Sequence, residues 1–348
     1  MTFDPYEACL RDLAEVLSRQ REAMQGVAPP AADAAGAPAP SAAPTAAAEP
    51  PADLRRAIIR TVMRQVERIA GLQVSEAIEA KIVRIMASVG VTELKAWAQT
   101  LGLLESDHPD WTALIEMLTV HETYLFRDRP QLDFLKTSLL PRLLAEARAS
   151  GRQRLRIWSA GCATGEEAYS LAAIALEAMV MAGVATEHAS FGIRPALGWQ
   201  VEVIGTDISR VVLRLAENGI YQTGPLSPFR DIEPTALRFF PPEAGAGEEA
   251  ALRKVRADVR QIVRFMPYNL LSREPPASDF DVVACRNVLI YMAEAARRNV
   301  LDTLSRALRP SGLLLLGPTD TLVDGAGFQG CWAQSALIWR KLVADAQR

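Results

Sequence analysis

Apolar positions recur every three or four residues through the first part of the chain and give way to short unbroken apolar runs after Gly151. Within 53–140, the stretches LRRAIIRTVMRQVERIA, VSEAIEAKIVRIMASVG, VTELKAWAQTLGLL, DWTALIEMLTVHE and RPQLDFLKTSLLPRLLAEARA each show one apolar face at helical period, which predicts a helical domain. Beyond it RIWSAG, VEVIGTD, VRFMPYN, FDVVACRN and GLLLLGP read as strands, and a final ALIWRKL closes the series. The helices EEAYSLAAIALEAM, SRVVLRLAENG and AEAARRNVLDTLSRALR lie between them. This alternation predicts an α/β domain over 141–348 built on a doubly wound, mostly parallel sheet. Residues 224–262 break the rhythm, and their composition predicts an inserted β-subdomain of a few short strands.

The start of the chain is different again. Residues 1–26 hold Tyr6, Leu10, Leu13 and Leu17 at helical spacing, which predicts one amphipathic helix over 5–24 that docks back on the protein or binds a partner. Residues 27–52 are almost wholly alanine and proline, too poor in bulk to fold and too rich in proline for a helix, so they read as a disordered, semi-stiff linker.

Composition narrows the function classes. At 348 residues, 49% hydrophobic and 23% charged, the chain has enough apolar material for a full core and the length of about two domains. A formal charge of -3 and a pI near 5.8 argue against broad nucleic-acid contact. Cys9, Cys162, Cys285 and Cys331 form no CxxC, and His108, His121 and His188 have no ligand spacing, so neither a metal site nor a disulfide framework is expected. The N-terminus lacks a basic start followed by an apolar core, and no apolar run reaches membrane-spanning length; the expected location is cytoplasmic.

The stretch WSAGCATGEEAYSLA at 158–172 carries the first candidate chemistry. Glycines between a strand and a helix commonly admit a phosphate, but Glu166 and Glu167 would repel one, and no GKS or GKT follows. Helix capping is one reading, with Thr164 as N-cap and both acids in the first turn. A cationic ligand such as S-adenosylmethionine, with its sulfonium and ammonium groups, is the other. Asp207, after the apolar strand VEVIG, stands where an acid commonly accepts hydrogen bonds from ribose hydroxyls; its alternative role is an N-cap, which Ser209 could fill instead.

HETYLFRD, SAGCATGEEAYSLA, GTDIS with LAENGIY, and FDVVACRNVLIYM, in that order, resemble the CheR family of chemoreceptor methyltransferases, over about residues 53–342. The resemblance implies a helical N-terminal domain joined to a Rossmann-like, S-adenosylmethionine-dependent methyltransferase domain that esterifies glutamate side chains of chemoreceptors and releases S-adenosyl-L-homocysteine. It implies cofactor contacts from His121, Thr123, Arg127, Glu167, Asp207, Asn269, Leu270, Arg286 and Asn287, and places Arg127 and Tyr291 where the methyl group is transferred. Glu167 then becomes the ligand contact and Glu166 the helix-capping acid. The implied partners are the cytoplasmic helices of chemoreceptors, met by a monomer, and it stays open whether a receptor tail docks on the β-subdomain.

Scarcity of histidine fits this chemistry, because a glutamate of pKa near ~4.3 is already ionised and needs no general base. Taken alone, Arg127 would read as a salt bridge with Asp128 or Glu122, and Tyr291 as a core aromatic. His121 departs from the family's usual asparagine, Leu125 from phenylalanine and GPTD at 317–320 from a GHSE-like stretch. The helix VSEAIEAKIVRIMASVG offers only Lys81 and Arg84 where arginines would grip an acidic receptor helix. Alternative readings are a methyltransferase for another carboxylate and a non-catalytic module that binds the cofactor and signals. ACRNVLIY is unlike the NPPY-type stretch of nucleic-acid amino methyltransferases.

Overall fold

The computed structural model describes residues 52–73, 75–87, 108–119, 122–243, 252–322, 327–333 and 336–342. The N-terminal helix, the Ala/Pro linker, the stretch VTELKAWAQTLGLL and His121 lie outside the described residues. Two compact units are present, Met1–Thr119 and Val120–Arg348.

In the first unit, α1 (Ala52–Ala70), α2 (Glu76–Ala87) and α3 (Pro109–Leu118) pack on one another. The buried positions of α1, Ile58, Ile59, Val62, Met63, Val66 and Ile69, are the helical stripe read from the sequence. Arg56, Arg60 and Arg64, four residues apart, are exposed on the same helix. Lys81 of α2 donates to the carbonyls of Leu118 (3.1 Å) and Thr119 (3.4 Å), so it caps the end of α3.

The second unit is built on a seven-stranded sheet of order β10-β11-β9-β8-β1-β4-β7. Its parallel members are β1 (Arg154–Ala160), β4 (Gln200–Asp207), β7 (Val263–Pro267), β8 (Phe280–Cys285) and β9 (Leu308–Leu316). An antiparallel hairpin, β10 (Phe328–Ala333) and β11 (Ala336–Lys341), completes one edge. All six residues of β8 are buried, as expected of a strand covered on both faces. Strand order reverses at β1, which pairs with β4 on one side and β8 on the other. The loops leaving those strands therefore diverge and open a crevice at the carboxyl edge.

Helices α6 (Glu166–Met181), α7 (Arg210–Asn218), α8 (Ala257–Gln261) and α9 (Glu294–Ala307) join the strands. The segment 129–149, read from the sequence as one helix, is α4 (Arg129–Phe134), a π-helical turn (Leu135–Leu139) and α5 (Leu140–Ala149). Leu132, Leu135, Leu139, Leu143 and Leu144 share a core with Leu155 and Ile157 of β1, so these helices belong to the sheet-bearing unit. Periodicity reveals that a helix buries a face and is silent about what covers it, which is why the domain boundary near 140 fell among helices that serve the sheet. Two short strands not anticipated, β2 (Ala185–His188) and β3 (Gly192–Pro195), form a hairpin fixed by Asp258, which accepts the Ile193 N–H at 2.7 Å. The strand that pairs with the insertion starts before its expected bounds of 224–262: β5 (Ile220–Gln222) pairs antiparallel with β6 (Leu252–Lys254), and a 3-10 turn at Pro234–Phe239 lies between them.

Candidate functional site

The loop after β1 turns sharply because Gly161, Ala163 and Gly165 all have positive φ. Gly165, at φ 94°, is itself the N-cap of α6, and a Cβ there would stand 2.8 Å from the Ala216 side chain. Thr164 is therefore not the cap expected from the sequence. Its hydroxyl donates to Glu166 Oε2 at 2.6 Å instead. Glu166 is only 3% exposed, and burial pushes its carboxyl up to about 7. Glu167 accepts from the Ser159 hydroxyl at 2.6 Å and from Arg286 Nη1 at 3.3 Å. Burial raises its pKa as well, while the Arg286 guanidinium opposes the rise.

Arg286, at the end of β8, has a buried side chain and joins three segments that are far apart in sequence. It holds Glu167 with Nη1, and with Nη2 it holds Asp128 Oδ2 at 2.9 Å and the Arg127 carbonyl. The HETYLFRD segment, the GEE turn and the CRN strand end thus meet at one guanidinium. Among the described residues the buried Arg286 Nε and Asn287 Oδ1 have no hydrogen-bond partner, an orphaned donor and an orphaned acceptor on consecutive residues.

Arg127 takes neither of the salt bridges that its neighbours suggest. Asp128 is held by Arg286, and Glu122 pairs with Arg230 at 3.2 Å. Among the described residues Arg127 forms no ion pair; its Nη1 donates to the Glu122 carbonyl at 3.3 Å and its guanidinium lies 5.7 Å from the Tyr124 ring centre. Its charge still acts on Glu167, whose pKa it helps to hold down. Tyr291, in a 3-10 turn at Leu289–Tyr291, is 41% exposed, which is not the state of a core aromatic.

Asp207 ends β4, buried, with Oδ2 accepting the Ala163 N–H and Oδ1 the Ser209 N–H, both at 3.0 Å. Ser209 is the N-cap of α7, accepting from the Val212 N–H at 3.2 Å, so Asp207 is spared that duty. Each carboxylate oxygen has a second lone pair for a ligand hydroxyl. Asn269 and Leu270 follow β7 directly beside it, since the Tyr268 N–H donates to the Asp207 carbonyl at 2.9 Å. The structure thus gathers Arg127, Glu167 and Arg286 in one network and sets Asp207 beside Asn269 and Leu270 on the adjoining strand ends. Thr123 is half-buried and is not drawn into that network by any hydrogen bond. Two participants escaped the sequence reading, Ser159 and Asp128. Both lie inside the motifs SAGCATGEE and HETYLFRD, and only their partners reveal their use.

With this geometry in view, comparison with known proteins is specific. Residues 121–331 match the family model described as CheR methyltransferase, SAM binding domain. Chemotaxis protein methyltransferase 1 of Pseudomonas aeruginosa is 32% identical over 250 residues, 70% of this chain and 81% of that protein. Chemotaxis protein methyltransferase 1 of Vibrio cholerae is 34% identical over 210 residues, 60% of this chain and 68% of that protein. A TehB-like SAM-dependent methyltransferase structure from Corynebacterium glutamicum matches with coverage of 61% of this chain and 97% of its own, at 15% identity and a TM-score of 0.30. The donor set in the crevice fits S-adenosylmethionine: among the described residues it offers an orphaned acceptor and an orphaned donor, the Glu166 and Glu167 carboxyl groups, and unused lone pairs on Asp207, groups that would suit an ammonium, a carboxylate, a sulfonium and ribose hydroxyls. Among the described residues no group of side chains could hold a metal ion, and no helix is long and apolar enough to cross a membrane.

Proposed function

Because the chain belongs to the CheR methyltransferase family and carries its S-adenosylmethionine-binding domain, we propose that it methylates glutamate side chains of chemoreceptors to give methyl esters. The observation that carries this reading is Arg127: a cation without an ion pair among the described residues, whose own carbonyl is tied to Arg286, the buried partner of Glu167. The bound cofactor supplies an electrophilic methyl on a sulfonium. The chain's residues then have to align and dehydrate an incoming carboxylate that is already charged. Arg127 can grip it with two parallel N–H donors, and the Tyr291 hydroxyl can fix one oxygen so that the other faces the methyl. Because the incoming carboxylate is already ionised, neither Arg127 nor Tyr291 would have to take up or give a proton, and their task would be orientation alone.

An acidic receptor helix also finds a counterpart in the first unit. Arg56, Arg60 and Arg64 line a groove of about 410 Å³ together with Ile59, Met63 and one acid, Glu79, so its lining carries three cations against a single anion. Lys81, by contrast, is already committed to α3. Charge complementarity with a glutamate-bearing helix is the support this gives to the receptor reading.

The test is transfer of radiolabelled methyl to receptor cytoplasmic fragments, with release of methanol in mild base identifying an ester. Tyr291→Phe is expected to keep near-normal cofactor affinity and lose about tenfold or more in single-turnover rate, the cost of one lost orienting hydrogen bond. A wild-type rate in that variant removes Tyr291 from catalysis. Absence of base-labile label with active wild-type protein removes the glutamate substrate.

A further inference from the structure

We infer that Asp320, in the turn after β9, is a positioning residue that fixes the turn after β8 and with it Asn287 and Tyr291. The inference rests on the methyltransferase reading above. Asp320 lies in the stretch GPTD, outside every segment that suggested a site, yet its carboxylate collects backbone donors from the crevice. Oδ2 accepts the N–H of Asn287 at 2.6 Å and of Gly317 at 2.9 Å, and Oδ1 accepts the N–H of Ile290 at 3.1 Å.

Two of those donors, Asn287 and Ile290, lie just before and within a turn that cannot satisfy itself. Leu289–Tyr291 is a single 3-10 turn whose internal bonds run from Tyr291 to Val288 and from Met292 to Leu289, which leaves the N–H groups at its start without internal partners. Asp320 supplies the cap from another strand. It also secures Asn287, whose φ of 59° is a left-handed conformation that a non-glycine residue adopts only when surroundings enforce it. Gly317 makes room for the same residue. A Cβ there would stand 2.8 Å from both N and Nδ2 of Asn287, so the asparagine can sit down against β9 only because that side chain is missing. The clamp holds backbone, and what it aims are the buried Oδ1 of Asn287, which has no partner among the described residues, and the exposed Tyr291 ring.

A carboxylate with both oxygens accepting is replaced by Asp320→Asn with one acceptor and one unwanted donor, while Asp320→Glu retains two acceptors. Calorimetry with S-adenosylhomocysteine, urea unfolding of the apo protein and single-turnover methyl transfer at saturating cofactor give independent readouts. In Asp320→Asn, cofactor affinity and transfer rate are expected to fall about tenfold each, the size of one charge-assisted hydrogen bond. Asp320→Glu should bring both back to within about threefold of wild type. If Asp320 acts through Asn287, then in an Asn287→Ala background the Asp320→Asn change should alter cofactor affinity by less than about twofold.

The proposal is overturned if Asp320→Asn lowers urea stability but leaves cofactor affinity and rate unchanged, or if its effect on affinity adds in full to that of Asn287→Ala. Should Asp320→Asn fail to fold, Gly317→Ala displaces Asn287 with the carboxylate intact; lost affinity supports the clamp and wild-type affinity refutes it. Cofactor affinity is read without a protein substrate, so a wild-type protein that binds cofactor but leaves receptor fragments unlabelled sinks the substrate reading and still tests Asp320.

Discussion

The two loops that flank the crevice are built with the same device and put it to different use. Each is pinned by an aspartate reaching over from the end of a neighbouring strand: Asp207 of β4 accepts the Ala163 N–H of the β1 loop, and Asp320 beyond β9 accepts the Asn287 N–H of the β8 turn. In both cases the donor residue is a non-glycine in left-handed conformation, at φ 46° and 59°. The loops differ in what they present. The β1 loop brings acids, the buried Glu166 and the partly buried Glu167, whereas the β8 turn brings Arg286 Nε and Asn287 Oδ1, which have no hydrogen-bond partner among the described residues. An aspartate at a strand end is thus no evidence of ligand binding by itself, because the fold asks for one at both places. Asp207 stands apart in adjoining Asn269 and in having its helix-capping duty taken over by Ser209.

Arg286 is the residue that joins the two loops, and its removal should have the largest effect. Arg286→Met leaves Glu167 and Asp128 without their shared cation, and loss of one member of a buried ion pair costs about 3–5 kcal/mol. Urea denaturation should show a loss of that order. A loss below about 1 kcal/mol would mean that the loops stand independently.

Next in size is a pH effect confined to the β1 loop. The folded pKa of Glu166, about 7, lies above its ordinary value of 4.5, so the folded state holds an extra proton between the two. Stability contributed by the neutral carboxyl is complete below the lower value and is lost as pH rises through the upper one, a change of roughly 3 kcal/mol. Glu166→Gln should flatten the stability profile between about pH 5 and 8 and make the protein more stable than wild type at the alkaline end. An unchanged slope would show that Glu166 is ionised in the folded state at both ends.

The smallest expected effect separates the two aspartates. Asp207→Ala should weaken cofactor binding by about 1–2 kcal/mol through loss of a buried acceptor, measured by calorimetry on folded protein. Unlike Asp320→Asn, that loss should persist in an Asn287→Ala background. Unchanged affinity would reduce Asp207 to a loop clamp like its counterpart.

The alternation of apolar runs and helical stripes was enough to place five parallel strands in their sequence positions, to put Asp207, Asn269 and Arg286 at or just beyond strand ends and to put Glu167 in the turn into the next helix, because burial of one face imposes a period that a single sequence displays. Motif spacing identified the segments that meet in the crevice, since glycine and small polar residues at a strand-to-helix turn answer a local backbone demand. The sequence by itself determined no partner for any of these side chains. That Arg286 takes Asp128 and leaves Arg127 without an ion pair among the described residues, and that α4 and α5 cover the sheet, follow from contacts between residues distant in the chain, while Thr164 serves Glu166 because the left-handed Gly165 takes the cap of α6. Asp320 is the extreme case: its three donors come from its own turn and from residues about thirty positions away. Only the parallel pairing of β8 with β9 brings those two strand ends side by side, and hydrogen bonding between separate loops has no period along the sequence.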